Sequence, residues 1–244
     1  MRSLYQIISI FCCFFLGFCS GDNEIRNYPQ PQQQNPTTET TATFKYLALG
    51  DSYTIGQSVC ETCRFPEQLK VRLHSDIPNA MVNLQIIAQT GWTTTNLKNA
   101  INASNLATDF DLVTLLIGVN NQYQNKPFSL YEQEFPELLV KAIVLAKGNP
   151  ANVIVVSIPD YRYTPYGNGL QNPETVSQQI DQYNAFAHDY CQQQNITFVD
   201  ITGITRLGLE NPSLVAQDGL HPSETAYSQF VVRIAPVAKS KLMD

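Results

Sequence analysis

Five apolar runs punctuate the chain, each about the length of a strand: Phe44 to Leu49, Met81 to Ala88, Phe110 to Ile117, Val153 to Ile158 and Ile196 to Asp200. Phe110 to Ile117 is almost continuously apolar, the pattern of a strand covered on both faces. Between the runs the spacing becomes helical. Phe65, Leu69 and Leu73 recur at four-residue intervals in a helix predicted over Phe65 to His74, with Pro66 in its first turn. Leu97, Ile101 and Leu106 mark a second helix, and Leu130 to Ala146 a third. Pro173 to Gln194 carries a stripe of Val176, Ile180, Tyr183, Ala187 and Tyr190, and Pro222 to Leu242 forms the last helix. Strands alternating with helices predict one α/β domain: a three-layer sandwich with a central, mostly parallel five-stranded sheet and helices on both faces. Right-handed crossovers bring the C-terminal ends of parallel strands to one rim. Ser52, Gly91, Asn120 and Asp160 all follow such ends.

The N-terminal pattern is different. Arg2 precedes a largely apolar stretch, Leu4 to Phe18, which is too short for a transmembrane helix and reads as a secretory signal over residues 1–18. Leu16-Gly17-Phe18-Cys19 resembles the lipobox of bacterial lipoproteins, with Phe18 where a small residue is usual. Either Cys19 is lipidated and tethers the chain to a membrane, or the leader is cut nearby and the chain is secreted. Both readings export the protein, to the bacterial cell envelope or beyond. Residues 19–43, rich in Gln, Pro, Thr and Asn, cannot bury enough surface to fold and read as a tether. The folded domain is expected over residues 44–244.

The 244 residues suffice for one substantial core. The net charge of -6 offers no basic face for nucleic acid, and a monomer is expected. No dense cluster of His, Cys and Asp residues stands at metal-ligand spacing, so no metal is expected. Cys60-Glu61-Thr62-Cys63 suggests either a redox site or a small disulfide near the site entrance. Cys191, within the apolar stripe of its helix, reads as a buried free thiol.

The first strand ends at Gly50-Asp51-Ser52. These residue types favour turns, and a serine at that edge also suits a nucleophile if a base reaches it. Of the three histidines, His74 ends a helix and His188 lies off the apolar stripe, so both read as solvated. His221 lies in Asp218-Gly219-Leu220-His221-Pro222, held between glycine and proline. There Asp218 could bond one ring nitrogen and leave the other toward Ser52, or the pair could simply cap the last helix.

Four blocks in order resemble the SGNH, or GDSL-type, hydrolase family: Gly50-Asp51-Ser52, Gly91, Gly118-Val119-Asn120 and Asp218-Gly219-Leu220-His221. The resemblance covers about residues 44–242. It implies a flavodoxin-like SGNH hydrolase fold and a serine esterase, whose acyl transfer to water would need neither a metal nor an organic cofactor. Ser52 would be the nucleophile, His221 the base and Asp218 its orienting partner. The oxyanion hole would comprise the Ser52 and Gly91 N–H groups and the Asn120 amide. Asn121 departs from the Asp that many members carry at that position. The substrate would be a small-molecule or glycan ester, with short-chain or carbohydrate O-acyl esters favoured because no long apolar lid is evident. The rivals are a lysophospholipase- or thioesterase-like lipid acylhydrolase and a non-catalytic envelope binding module. The tyrosines of the loop from Asp160 to Gly167 read equally as a sugar platform, an acyl channel or surface packing.

Overall fold

The computed structural model describes residues 41–243. The predicted signal, Cys19 and nearly all of the tether lie outside the described residues. The chain forms β1 (Ala42–Gly50), α1 (Ser52–Ile55), α2 (Phe65–Asp76), β2 (Ala80–Ala88), α3 (Thr94–Ala103), β3 (Leu112–Leu116), α4 (Val119–Tyr123) and α5 (Phe128–Leu145). It continues through β4 (Val153–Val156), α6 (Pro165–Asn168), α7 (Pro173–Gln193), β5 (Thr197–Val199), α8 (Thr202–Thr205) and α9 (Glu224–Met243). The five strands form one sheet in the order β2-β1-β3-β4-β5, and every pairing is parallel.

Burial along the strands follows their place in the sheet. The central strands β3 and β4 are buried at every residue, which is why both read as unbroken apolar runs. At one edge, β2 alternates buried and exposed residues over its first four positions, as a half-covered strand does. The opposite edge, β5, is only three residues long, which limits the unpaired backbone it presents.

On one face α2 packs against α9, through Phe65, Leu69 and Leu73 on the first and Tyr227, Phe230 and Ile234 on the second, all fully buried. Burying each such side chain contributes about 1.5–3 kcal/mol before entropy is counted. On the other face α3, α5 and α7 adjoin in sequence.

Some boundaries differ from the apolar pattern. The first strand begins at Ala42, so the expected domain boundary at 43/44 falls inside it. Ala42 and Thr43 are exposed and pair by backbone alone with Ala80 and Met81, leaving no hydrophobic signal. Leu106 lies beyond the end of α3. Pro222 does not open the last helix, which starts at Glu224, because it forms an antiparallel bridge with Val215.

The register sets up the rim. Gly50, the last residue of β1, pairs with Ala88 of β2 on one side and Leu116 of β3 on the other. The strand order reverses direction beside β1, and such a switch point opens a crevice at the carboxyl ends of the strands.

Candidate active site

The chain leaves β1 through a tight turn. A Cβ on Gly50 would come within 2.1 Å of Thr54 Oγ1 and 2.5 Å of the Leu116 carbonyl, so the turn closes only over a glycine. Asp51 caps the short helix α1, its Oδ1 accepting the Tyr53 N–H at 3.0 Å. Ser52 follows, 4% exposed. Asp51 itself is fully buried. Burial pushes its carboxyl up to about 7, against the Tyr53 N–H and the Asn120 side chain, which favour the charged form. Although Asn120 faces Asp51, neither Asp51 Oδ2 nor Asn120 Nδ2 makes a hydrogen bond of normal geometry.

Three donors therefore stand unused around Ser52. Asn120 Nδ2, in α4 beyond β3, is buried without a hydrogen bond of normal geometry. Among the described residues, neither the Ser52 nor the Gly91 N–H donates a hydrogen bond. Gly91 adopts φ +84, a left-handed conformation that a side chain would strain although space for a Cβ is open. Its peptide is oriented by Gln124 Nε2, which donates to the Gly91 carbonyl at 2.9 Å.

The segment after Gly91 is anchored by a polar network. Thr93 and Asn96 form a reciprocal capping box at the start of α3. The next residue, Thr94, donates its N–H to Asn121 Oδ1 at 2.9 Å, and Asn121 Nδ2 donates back to Thr94 Oγ1 at 2.7 Å. Asn121 is fully buried, so at this position its neutral amide braces the neighbouring strand end rather than meeting solvent. Glu134 of α5 completes the network, accepting from Thr94 Oγ1 at 2.6 Å and pairing with Lys98 at 3.0 Å. Burial works to raise its carboxyl, but the bonds from Thr94, Thr95 and Lys98 outweigh it and hold it below the usual range.

Asp218 and His221 arrive on a separate hairpin. Val215 bridges Pro222, the Ala216 N–H donates to the His221 carbonyl at 2.8 Å, and Gly219 makes the tip at φ +71. Asp218 Oδ1 accepts the Leu220 and His221 N–H groups at 2.9 and 3.0 Å. Its Oδ2 meets His221 Nδ1 at 2.6 Å and accepts Ser58 Oγ, also at 2.6 Å. Although burial alone would raise this carboxyl, the Ser58, His221 and Leu220 bonds hold it well below the usual carboxylate range. With Nδ1 donating to Asp218, the neutral imidazole keeps Nε2 free to accept a proton. The ring packs edge-on to Tyr53, centroids 5.7 Å apart.

Ser52, Gly91, Asn120 and His221 line one open cleft of about 180 Å³, walled also by Tyr123 and Tyr161. In this resting arrangement no hydrogen bond joins Ser52 Oγ to His221; such bonds often tighten only when substrate arrives. The loop tyrosines separate into three environments. Tyr161 is buried and donates to Gln122 Oε1 at 2.8 Å, Tyr163 lies under Arg162, and Tyr166 stands exposed with its hydroxyl 2.7 Å from that of Tyr123. Asp160, expected at the rim, is fully buried and holds the loop through Arg206 at 3.0 Å. Cys60 and Cys63 are joined as a disulfide, and Cys191 is a buried free thiol pushed up to about 12 by burial. His74 and His188 are exposed, away from the cleft. Among the described residues, no group of three His, Cys, Asp or Glu side chains could hold a metal ion.

The sequence did not point to Ser58, Gln124 or the Thr94–Asn121–Glu134 network. Glu134 stands beside Glu132, Gln133 and Glu137 in a polar stretch of α5, where one more acid carries no signal, and Ser58 gave none.

Residues 48–229 match the model of the GDSL-like lipase/acylhydrolase family. Solved structures share the fold at low identity. An acetylxylan esterase from Geobacillus stearothermophilus aligns at 20% identity and TM-score 0.60, over 83% of this chain and 95% of that one. A lipase/acylhydrolase from Enterococcus faecalis aligns at 20% and 0.61, over 81% and 96%. A lipolytic protein of the G-D-S-L family from Veillonella parvula aligns at 19% and 0.60, over 80% and 98%. No curated protein matches the chain at a significant level.

Proposed function

Given that this chain belongs to the GDSL-like lipase/acylhydrolase family and is a carboxylic ester hydrolase, we propose that Ser52, His221 and Asp218 carry the reaction. Ser52 Oγ attacks the ester carbonyl while its proton passes to His221 Nε2. The imidazolium is stabilised through Nδ1 by Asp218 and then protonates the departing alcohol. Water, deprotonated by the same imidazole, attacks the acyl-enzyme and releases the acid. The charge that develops on the carbonyl oxygen is received by the Ser52 and Gly91 N–H groups and by Asn120 Nδ2. The observation that carries this reading is Asn120 Nδ2: a buried donor that faces Asp51 yet makes no hydrogen bond of normal geometry, in the same cleft as Ser52 and His221. A buried donor left unpaired lowers stability, and its persistence is accounted for if the bond forms with substrate.

For the substrate we propose a short acyl group on a polyhydroxylated alcohol. The cleft, at about 180 Å³, is small beside the roughly 300–1,000 Å³ of a typical ligand site. Outside it, the exposed faces of Tyr123 and Tyr166 form an amphipathic platform suited to a sugar. That one structurally similar protein is an acetylxylan esterase accords with this choice.

The test is hydrolysis of p-nitrophenyl esters from acetyl to palmitoyl by wild type and Ser52→Ala. Activity should be highest for acetyl to butyryl and absent in the variant. A preference for palmitoyl would overturn the short-acyl assignment, and full activity in Ser52→Ala would overturn the mechanism.

A further inference from the structure

Six residues after the nucleophile, the chain reaches back to the acid–base hairpin. Ser58 Oγ donates to Asp218 Oδ2 at 2.6 Å, the same oxygen that His221 Nδ1 meets at 2.6 Å. We propose that Ser58 is a positioning residue of the esterase site, its hydroxyl fixing the Asp218–His221 pair relative to Ser52. The inference rests on the serine-hydrolase reading above.

The bonds to Asp218 divide by what they hold. Oδ1 is bound by the N–H groups of Leu220 and His221, within its own hairpin. Those bonds orient the carboxylate inside the hairpin without fixing the hairpin against the nucleophile turn. The Ser58 bond spans 160 residues and ties the two together. Ser58 is itself held to the nucleophile, since the Gly56 and Gln57 N–H groups both donate to the Ser52 carbonyl at 3.0 Å. On its other side the Cys60–Cys63 disulfide closes the segment. The neighbouring Gln57 accepts from Thr90 Oγ1 at 2.6 Å, so the same segment also meets the Gly91 loop. Ser58 sits at φ +68, a left-handed conformation that a non-glycine residue keeps only where its contacts over-determine it.

The hydroxyl also has an electrostatic effect. Groups facing His221 are Asp218 on its own hairpin, Tyr53 from the nucleophile helix, and Asp160 and Tyr161 from the loop after β4. Asp160 is already neutralised by Arg206 at 3.0 Å, and Tyr227 of α9 faces Asp218. Among the described residues, only Asp218 bonds the imidazole. Donation from Ser58 withdraws charge from Oδ2. Without it, the carboxylate favours the protonated ring more strongly, and the acid limb of kcat/KM moves to higher pH.

The experiment uses the full chain with Ser58→Ala and Ser58→Gly, measuring kcat/KM for p-nitrophenyl acetate across pH alongside the thermal midpoint. Both variants lack the hydroxyl, but glycine accepts the left-handed backbone that alanine resists, so Ser58→Gly decides the matter if Ser58→Ala folds poorly. Both should fall on the order of tenfold, through looser placement of the base. In both, the acid limb should move to higher pH than in wild type. Wild-type kcat/KM in Ser58→Gly would overturn the inference, as would a fall with the acid limb unmoved. Activity lost in Ser52→Ala yet intact in Ser58→Gly sinks this inference alone. Activity that survives in Ser52→Ala removes the serine-hydrolase reading, and this inference with it.

Discussion

The two halves of the cleft are bonded in opposite ways. On the strand-end side, Asn120 Nδ2 and Asp51 Oδ2 are buried without a hydrogen bond of normal geometry, and among the described residues the Ser52 and Gly91 N–H groups donate none. On the hairpin side, Asp218 takes two bonds on each carboxylate oxygen, which saturates it. The sheet edge can leave donors open because parallel pairing of β1 with β2 and β3 already fixes their positions. The hairpin has no sheet around it, so side-chain and turn bonds must fix it. Rigidity from the backbone ladder frees polar groups for substrate, whereas rigidity built from side chains consumes them.

The contrast predicts that the two halves answer mutation differently. Asn120→Ala should lower kcat for p-nitrophenyl acetate by roughly 10²–10³-fold with little change in KM. The thermal midpoint should move little, because the amide makes no hydrogen bond of normal geometry and only biases Asp51 toward its charged form. A large drop in midpoint with kcat intact would mean that Asn120 is structural.

The two aspartates sharpen the comparison through pH. The Asp51 carboxyl, pushed up to about 7, binds a proton in the native state that the unfolded chain has released above about pH 4. Its effect on stability is therefore most favourable at low pH and is lost as pH rises through about 7. Asp218 is depressed, so its contribution is present above about pH 4 and is lost as pH falls below that. Asp51→Asn, which preserves the cap on Tyr53, should remove on the order of 2 kcal/mol of the stability that wild type loses between pH 5 and pH 8. Asp218→Asn should instead flatten the acid side of the curve. Denaturant midpoints across pH check both, and curves that tilt the same way would contradict the assignment.

A smaller effect is expected from the disulfide. The Cys60→Ser, Cys63→Ser double variant opens a short loop, worth about 2 kcal/mol at most in the chain-entropy model. A loss well above that, by denaturant unfolding, would show that the segment carries more of the hairpin's placement than Ser58 alone accounts for.

What was legible in the sequence follows the same division. The strands β3 and β4 were plain because both faces are covered. The residues Ser52, Gly91 and Asn120 were locatable because each follows an apolar run. Helices α1, α4 and α8 have four or five residues, too few to show a helical period. Ser58 was invisible because its partner is 160 residues away and a serine in a polar loop carries no pattern. Asn121 looked like a missing acid, while its bond to Thr94 depends on how two loops meet. Side chains that anchor one loop to another leave no periodic trace, and the hairpin side relies on them most.

The most direct test is covalent trapping. Wild type, Ser52→Ala and His221→Ala are treated with an alkyl fluorophosphonate and analysed by intact mass and peptide mapping. The account predicts one adduct on wild type, mapped to Ser52, none on Ser52→Ala, and labelling of His221→Ala slowed by several orders of magnitude. An adduct on another residue, or equal labelling of the Ser52→Ala variant, would contradict the claim that the strand-end serine is the nucleophile.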